Sequence, residues 1–151
     1  QLRRVSASEV DCGAHHTCML TKEGELYVWG RGSMVCEQDD VLAPKKFMHI
    51  DGQPKVKLMV CGWNHTLVVT SLEGGDLYAW GENADGQLGL GDGAKQEIIN
   101  PERCKVTGAI QILATGAGHT VAGLATGQTV AWGAHTCGRL GLQERRNESV
   151  E

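Results

Sequence analysis

The chain has 151 residues, of which 41% are hydrophobic, so it is long and apolar enough to form a packed domain. Its 14 Lys and Arg residues are outnumbered by 18 Asp and Glu residues, and the net charge of −4 gives little reason to expect nucleic-acid binding through this segment. No run approaches the roughly 18 apolar residues of a membrane span, so the sequence predicts no contact with a membrane.

The first recognisable stretch in chain order, residues 10–30, comes back at residues 60–81 and 114–133. Each copy contains Gly-x-x-His-Thr, a mostly apolar run, a turn with Gly, and a second apolar run that ends in Trp-Gly. The His residues of successive copies are 49 and 54 residues apart, and the Trp residues are 51 and 52 residues apart. A period of roughly 50 residues predicts a repeat array such as a solenoid or a propeller. The repeat signature consists of Gly13, His16, Trp29, Gly30, Gly62, His65, Trp80, Gly81, Gly116, His119, Trp132 and Gly133.

Each copy predicts short β-strands rather than helices. In the first copy, residues 17–21 and 26–29 are short apolar runs joined across residues 22–25, which indicates a β-hairpin with a Gly in its turn. Both runs are apolar at successive positions, as expected for strands covered on both faces by neighbouring sheets. The run at 57–61 and its equivalent at 110–115 add a strand before each later Gly-x-x-His.

The repeats therefore predict an all-β fold of propeller blades, each with four antiparallel strands. Approximate repeats cover residues 1–40, 41–95 and 96–151, which is about three blades. Propellers have from about four to eight blades, so we expect further blades from a longer parent chain or from a partner. Pro54 and Pro101 are expected in the connections between strands, where a missing N–H group costs nothing.

The repeated Gly, His and Trp residues each have a structural interpretation. The Gly of each Gly-x-x-His is expected to take a positive φ in a sharp turn. The His rings are expected to bond the backbone and close the turn, and because they lie one blade apart, they are not expected to converge on one metal ion. The Trp side chains are expected to fill the space between adjacent blades.

The cysteines and the remaining polar motifs predict no cofactor, metal or catalytic site. Cys12 and Cys61 occupy a slot that holds Thr115 in the third copy, which indicates a need for a small side chain. There is no Cys-x-x-Cys pair, and free thiols indicate a reducing intracellular compartment, the cytoplasm or the nucleus. Residues 89–94 match Gly-x-Gly-x-x-Ala, but they lack the flanking strand and helix that dinucleotide binding requires. No Ser/His/Asp or Cys/His set can be assigned, so the chain is not expected to be an enzyme.

The second copy carries the most specific signature, Trp-Gly-Glu-Asn-Ala-Asp-Gly-Gln-Leu-Gly at residues 80–89. Together with Gly-x-x-His-Thr, this signature resembles the repeat of the regulator of chromosome condensation family, whose units build a seven-bladed β-propeller. The third copy keeps Gly138, Leu140 and Gly141 at matching spacing. The first copy departs at three slots: Gly32 stands in the Asn slot, Val35 in the Gly slot and Gln38 in the second Gly slot.

Two functions remain open from the sequence. A propeller presents rigid loops on two rims, which favours a non-catalytic scaffold or adaptor for other proteins, or a subunit of a large assembly. The family resemblance implies the alternative of guanine nucleotide exchange on a small Ran-like GTPase, because the founding member of the family acts on Ran. Such exchange requires a surface that prefers the nucleotide-free GTPase. The candidate partner contacts lie in two loops, and they are Arg31, Glu37, Asp39, Asp40, Asn83, Asp85 and Asp92.

Overall fold

The computed structural model describes residues 5–72, 74–91 and 94–142. Within these ranges the chain forms eleven β-strands and two short 3₁₀ turns. None of the helical segments described there is long and apolar enough to cross a membrane. The candidate contact Asp92 lies outside the described residues.

The strands form three antiparallel sheets, which confirms the all-β propeller-blade fold. The first sheet has the order β1-β2-β3-β4, the second β5-β6-β7-β8, and the third β9-β10-β11. In the described part of the chain the third sheet has three strands, where the repeat predicts four. The strands are β1 (Ala7–Cys12), β2 (His16–Thr21), β3 (Leu26–Gly30), β4 (Val41–Lys46), β5 (Val56–Cys61), β6 (His65–Thr70), β7 (Leu77–Glu82), β8 (Glu97–Arg103), β9 (Ile110–Thr115), β10 (His119–Leu124) and β11 (Thr129–Gly133).

The proline positions correct one expectation from the sequence. Pro54 lies in the connection between β4 and β5, as expected, but Pro101 lies inside β8. β8 is the last strand of its sheet and pairs only with β7. A proline is compatible with such an edge strand because its missing N–H group can face away from the neighbouring strand.

The sheets pack face to face around two apolar clusters. The first cluster joins the first and second sheets and contains Cys18, Val28 and Trp80 among others. The second cluster joins the second and third sheets and contains Leu67 and Ala79 from the second sheet. Cys18 and Leu67 come from equivalent positions in β2 and β6, and Val28 and Ala79 from equivalent positions in β3 and β7. The blade interface is therefore itself a repeated unit.

Burial along the central strand of each sheet shows which faces are covered. All six residues of β6 are buried, because the second sheet has a neighbour on both sides. This explains why its sequence is apolar at successive positions. In β10 the buried and half-buried residues alternate instead, as expected for a strand with one covered face.

Candidate interaction surface

The loops of all three sheets that could contact a partner lie at the same end. His16 pairs with Gly30, so the turn that precedes β2 and the loop that follows β3 are neighbours. The same pairing joins His65 to Gly81 in the second sheet and His119 to Gly133 in the third. We call this end the rim, and it comprises the described residues of turns 13–15, 62–64 and 116–118 and of loops 31–40, 83–96 and 134–142.

The first residue of each rim turn must be Gly because a side chain there would collide with a neighbour, and not because the backbone needs a positive φ. Gly13, Gly62 and Gly116 do not have a positive φ, which corrects the expectation from the sequence. A Cβ atom at any of these positions would overlap the imidazole ring of the His three residues later. The backbone closes each turn, with the N–H of Gly62 donating to the carbonyl oxygen of His65 at 2.8 Å.

The ring of His16 connects neighbouring blades rather than closing its own turn. Nε2 of His16 shares a hydrogen bond of 2.8 Å with Oγ1 of Thr66 in the second sheet. His65 is buried, and neither of its ring nitrogens has a hydrogen-bond partner among the described residues. Burial, and secondarily the nearby His16 and His119, lower the pKa of His65 from 6.5 to about 4. His65 is therefore neutral at physiological pH.

Trp80 and Trp132 hold the rim loops of the preceding blade. Trp80 is fully buried, stacks on Phe47 with ring centroids 4.7 Å apart, and donates its indole N–H to the carbonyl oxygen of Met34 at 2.8 Å. Trp132 repeats this bond in the next interface, where its N–H donates to the carbonyl oxygen of Gln87 at 2.9 Å. Each indole thus fixes one rim loop to the neighbouring sheet.

These indole bonds give the true correspondence between the first two loops. Met34 lies five residues after its Trp and Gln87 seven residues after, so the first loop is two residues shorter up to the bonded carbonyl oxygen. Assigning Gly32, Val35 and Gln38 to the Asn and Gly slots without a gap was therefore wrong. The equivalent pairs are Met34 with Gln87, the fully buried Val35 with Leu88, and Cys36 with Gly89, at φ values of 63° and 70°.

Asn83, one of the candidate contacts, is directed into its own loop. Its side chain is buried. Nδ2 donates to the carbonyl oxygen of Lys95 at 3.0 Å, and Oδ1 accepts from the N–H of Leu88 at 3.1 Å. These bonds stabilise the loop and leave little of the amide for a partner.

Two acidic candidates also make contacts within the chain. Glu37 forms an ion pair with Lys45 and a hydrogen bond with Nε2 of His49, and these contacts hold the pKa of its carboxyl below the usual value. Oδ1 of Asp40 accepts from the N–H of Gly32 at 3.0 Å. The charge of Glu37 is thus balanced locally, and Asp40 fixes the start of the loop.

The candidate contacts that are exposed and whose side chains make no hydrogen bond or ion pair among the described residues are Arg31, Asp39 and Asp85. The structure adds Trp63, which sequence reasoning missed and whose side chain is 61% exposed at the tip of a rim turn. It lies beside a funnel of about 250 Å³ that the three Gly-x-x-His turns line together. The sequence contained a sign of this residue. Trp63 follows the Gly of its Gly-x-x-His motif, and the same position holds the small residues Ala14 and Ala117 in the other copies.

The turn that carries Trp63 is held rigidly on the rim. The carbonyl oxygen of Trp63 accepts from the N–H of Ala14 in the neighbouring turn at 2.8 Å. The hydrogen bond between Gly62 and His65 closes the turn on its other side. An exposed aromatic ring on a fixed backbone requires little ordering when it binds.

Three blades of antiparallel strands, joined by the bond from His16 to Thr66 and by the repeated Trp bonds, define a β-propeller repeat protein. Models of the regulator of chromosome condensation (RCC1) repeat match residues 7–34 and 56–87 in one case and residues 74–122 in another. The chain belongs to this repeat family.

Relatives with this repeat have diverse names. The ultraviolet-B receptor UVR8 of Arabidopsis thaliana is 34% identical over 146 residues, which cover 93% of this chain and 32% of that protein. The X-linked retinitis pigmentosa GTPase regulator of Homo sapiens is 32% identical over 145 residues, which cover 93% of this chain and 14% of that protein. The chain thus spans a third or less of these relatives.

The solved structure of Prp20p from Saccharomyces cerevisiae shares the fold. It matches 91% of this chain and 35% of its own length with a TM-score of 0.76. At 22% identity this likeness extends to the fold alone.

Proposed function

We propose that this chain is a non-catalytic protein-interaction scaffold or adaptor that contacts a partner protein through its rim, with Trp63 at the centre of the contact. The observation that carries the proposal is the exposed indole of Trp63 on a turn whose backbone is fixed from two sides. Trp is among the residues most often found to dominate the binding energy of protein interfaces.

The surroundings of Trp63 support a protein partner. Arg31, Asp39 and Asp85 are exposed at the same end and carry both signs of charge. An apolar anchor with mixed charges in the same region is the usual composition of a specific protein interface. We place this function in the cytoplasm or the nucleus, where the six free cysteines are chemically stable.

The outer faces of the array support the proposal that further blades cover them. Trp29 of the first sheet and Val121 of the third are only half-buried, whereas the equivalent Trp80 and Leu67 are fully buried in a blade interface. Burying these faces requires blade-like surfaces, from the same polypeptide or from a partner.

Nucleotide exchange on a small GTPase is the second candidate. One relative is named a GTPase regulator, and Prp20p, whose fold this chain shares, is described as binding Gsp1p. Exchange requires no covalent chemistry, because it depends on preferential binding to the nucleotide-free GTPase.

A pull-down with the full-length protein separates the two functions. The bait is exposed to native lysate in EDTA and then in excess GTP and magnesium, and partners are identified by mass spectrometry. Partners that persist in both buffers support the scaffold, whereas a small GTPase captured only in EDTA supports exchange.

The Trp63→Ala variant tests the contact surface. We expect it to weaken partner binding by about 30-fold, because a dominant interface residue contributes ~2 kcal/mol or more. Leu72→Ala is the matched control, because Leu72 is similarly exposed, at 55%, but follows β6 at the opposite end. If the two variants bind the partner with equal affinity and have unchanged melting temperatures, Trp63 is not part of the interface.

A further inference from the structure

Three side chains that can bind metals meet between the first and second sheets. His16 and Cys18 are two residues apart on β2, so both point to the same face of that strand. Cys61 is the last residue of β5 in the neighbouring sheet. One potential ligand atom from each lies within 4.8 Å of the other two, and all three residues are buried.

The two ring nitrogens of His16 have different surroundings. Its Nε2 is occupied by the hydrogen bond to Thr66, while its Nδ1 is buried and has no hydrogen-bond partner among the described residues. Metal-binding His residues almost always bond a neighbour through the nitrogen that does not bind the metal. Thr66 therefore leaves Nδ1 of His16 available for coordination.

We propose that His16, Cys18 and Cys61 form a binding site for one soft metal ion of the Zn²⁺ or Cu⁺ class. Two sulfur ligands select these ions over Mg²⁺ and Ca²⁺, which prefer oxygen, and imidazole suits both. Three protein ligands suffice for Zn²⁺ when water or another small ligand fills the fourth position. On binding, each thiol gives its proton to solvent as its sulfur bonds the metal, and no electron is transferred.

The site has support around it and a route for entry. The N–H of Cys61 donates to Oδ2 of Asp11 at 2.8 Å, which fixes the end of β5 against β1. Cys61 also lines the rim funnel of about 250 Å³, so an ion can approach from solvent. Because the ligands come from two sheets, the ion would join the first blade to the second.

The next blade interface provides an internal comparison. The positions equivalent to His16, Cys18 and Cys61 there hold His65, Leu67 and Thr115, which keep the imidazole and lose both sulfurs. The fold accommodates Leu and Thr at these positions. A double variant with Cys18→Leu and Cys61→Thr therefore copies a combination that this protein already packs.

Metal binding is tested on the full-length protein after removal of metal. Zn²⁺ is titrated against a coloured chelator, Cu⁺ is titrated against a Cu⁺-specific chelator, and Co²⁺ serves as a spectroscopic probe for thiolate ligation. We expect one equivalent of Zn²⁺ or Cu⁺ to bind with a higher melting temperature, and Co²⁺ to give a sulfur-to-cobalt charge-transfer band. The two competition titrations show which ion binds more tightly.

The variants assign the ligands. We expect the Cys18→Leu, Cys61→Thr variant to lose more than about 100-fold in affinity, since losing ligands costs more than losing the residues that orient them. Cys104→Ser is the matched control, because Cys104 is buried to a similar degree as Cys61 but lies in the second cluster. This control is expected to keep its affinity.

A positioning variant keeps the test decisive if the double variant fails to fold. Thr66→Val removes the hydroxyl that orients His16 and is expected to weaken binding by about 10–100-fold. Thr120→Val alters the equivalent buried Thr of the third sheet and should have no effect. The proposal is overturned if folded protein binds no stoichiometric metal, if the cobalt complex lacks a thiolate band, or if the Cys104 and Thr120 variants lose as much affinity as their counterparts.

Discussion

At the scale of single residues, the contact between Gly62 and His65 determines whether a rim turn can form. We expect Gly62→Ala to lower the free energy of unfolding by about 1–3 kcal/mol, because its Cβ would overlap the His65 ring and force the turn to shift. Denaturant unfolding measures the change. Gly118→Ala is the control, since the atom nearest its new Cβ is the end of the flexible Asp85 side chain. Equal losses in both variants would contradict this explanation of the rim glycines.

The buried ring of His65 makes stability depend on pH. Its pKa is about 4 in the folded protein and about 6.5 in the unfolded chain, so between these values the unfolded chain binds a proton that the folded protein does not. Stability contributed by neutral His65 is therefore present above pH 6.5 and is lost as the pH falls towards 4, by ~3 kcal/mol in total. Urea midpoints across this range, compared with those of His65→Gln, measure the loss. Parallel pH profiles for the two proteins would refute the assignment.

At the scale of elements, the indole bonds couple each rim loop to the next sheet. Trp80→Phe keeps a ring for stacking but leaves the carbonyl oxygen of Met34 without its donor. We expect this to cost about 1–3 kcal/mol and to speed amide hydrogen exchange in loop 31–40. Trp132→Phe should have the corresponding effect on the loop that contains Gln87. Faster exchange throughout the molecule in both variants would argue against this local coupling.

The sequence was sufficient to predict the inner strands and their grouping into blades, because the repeat and its apolar runs depend on local order, but it placed Pro101 in a connection and so missed β8. The sequence was insufficient to predict which residues contact each other between blades. The bond from His16 to Thr66 and the contacts of Cys61 with His16 and Cys18 join residues that are more than 40 positions apart in the sequence. The shortened first loop was also misassigned, since its correspondence depends on which carbonyl oxygen meets the next indole.

At the scale of the whole molecule, the rim gathers loops from all three sheets around a common funnel, and Trp63 is its most exposed aromatic side chain among the described residues. The rigid sheets hold these loops in fixed relative positions, which is what a scaffold requires. We therefore expect a partner protein to bind at this end of the array.

Hydroxyl-radical footprinting of the full-length protein, free and in complex with a partner recovered from lysate, tests this expectation most directly. We predict that the partner protects Trp63 from oxidation, while Leu72 at the opposite end reacts equally in both states. Unchanged oxidation of Trp63 in a saturated complex, or protection confined to Leu72, would contradict a binding surface at the rim.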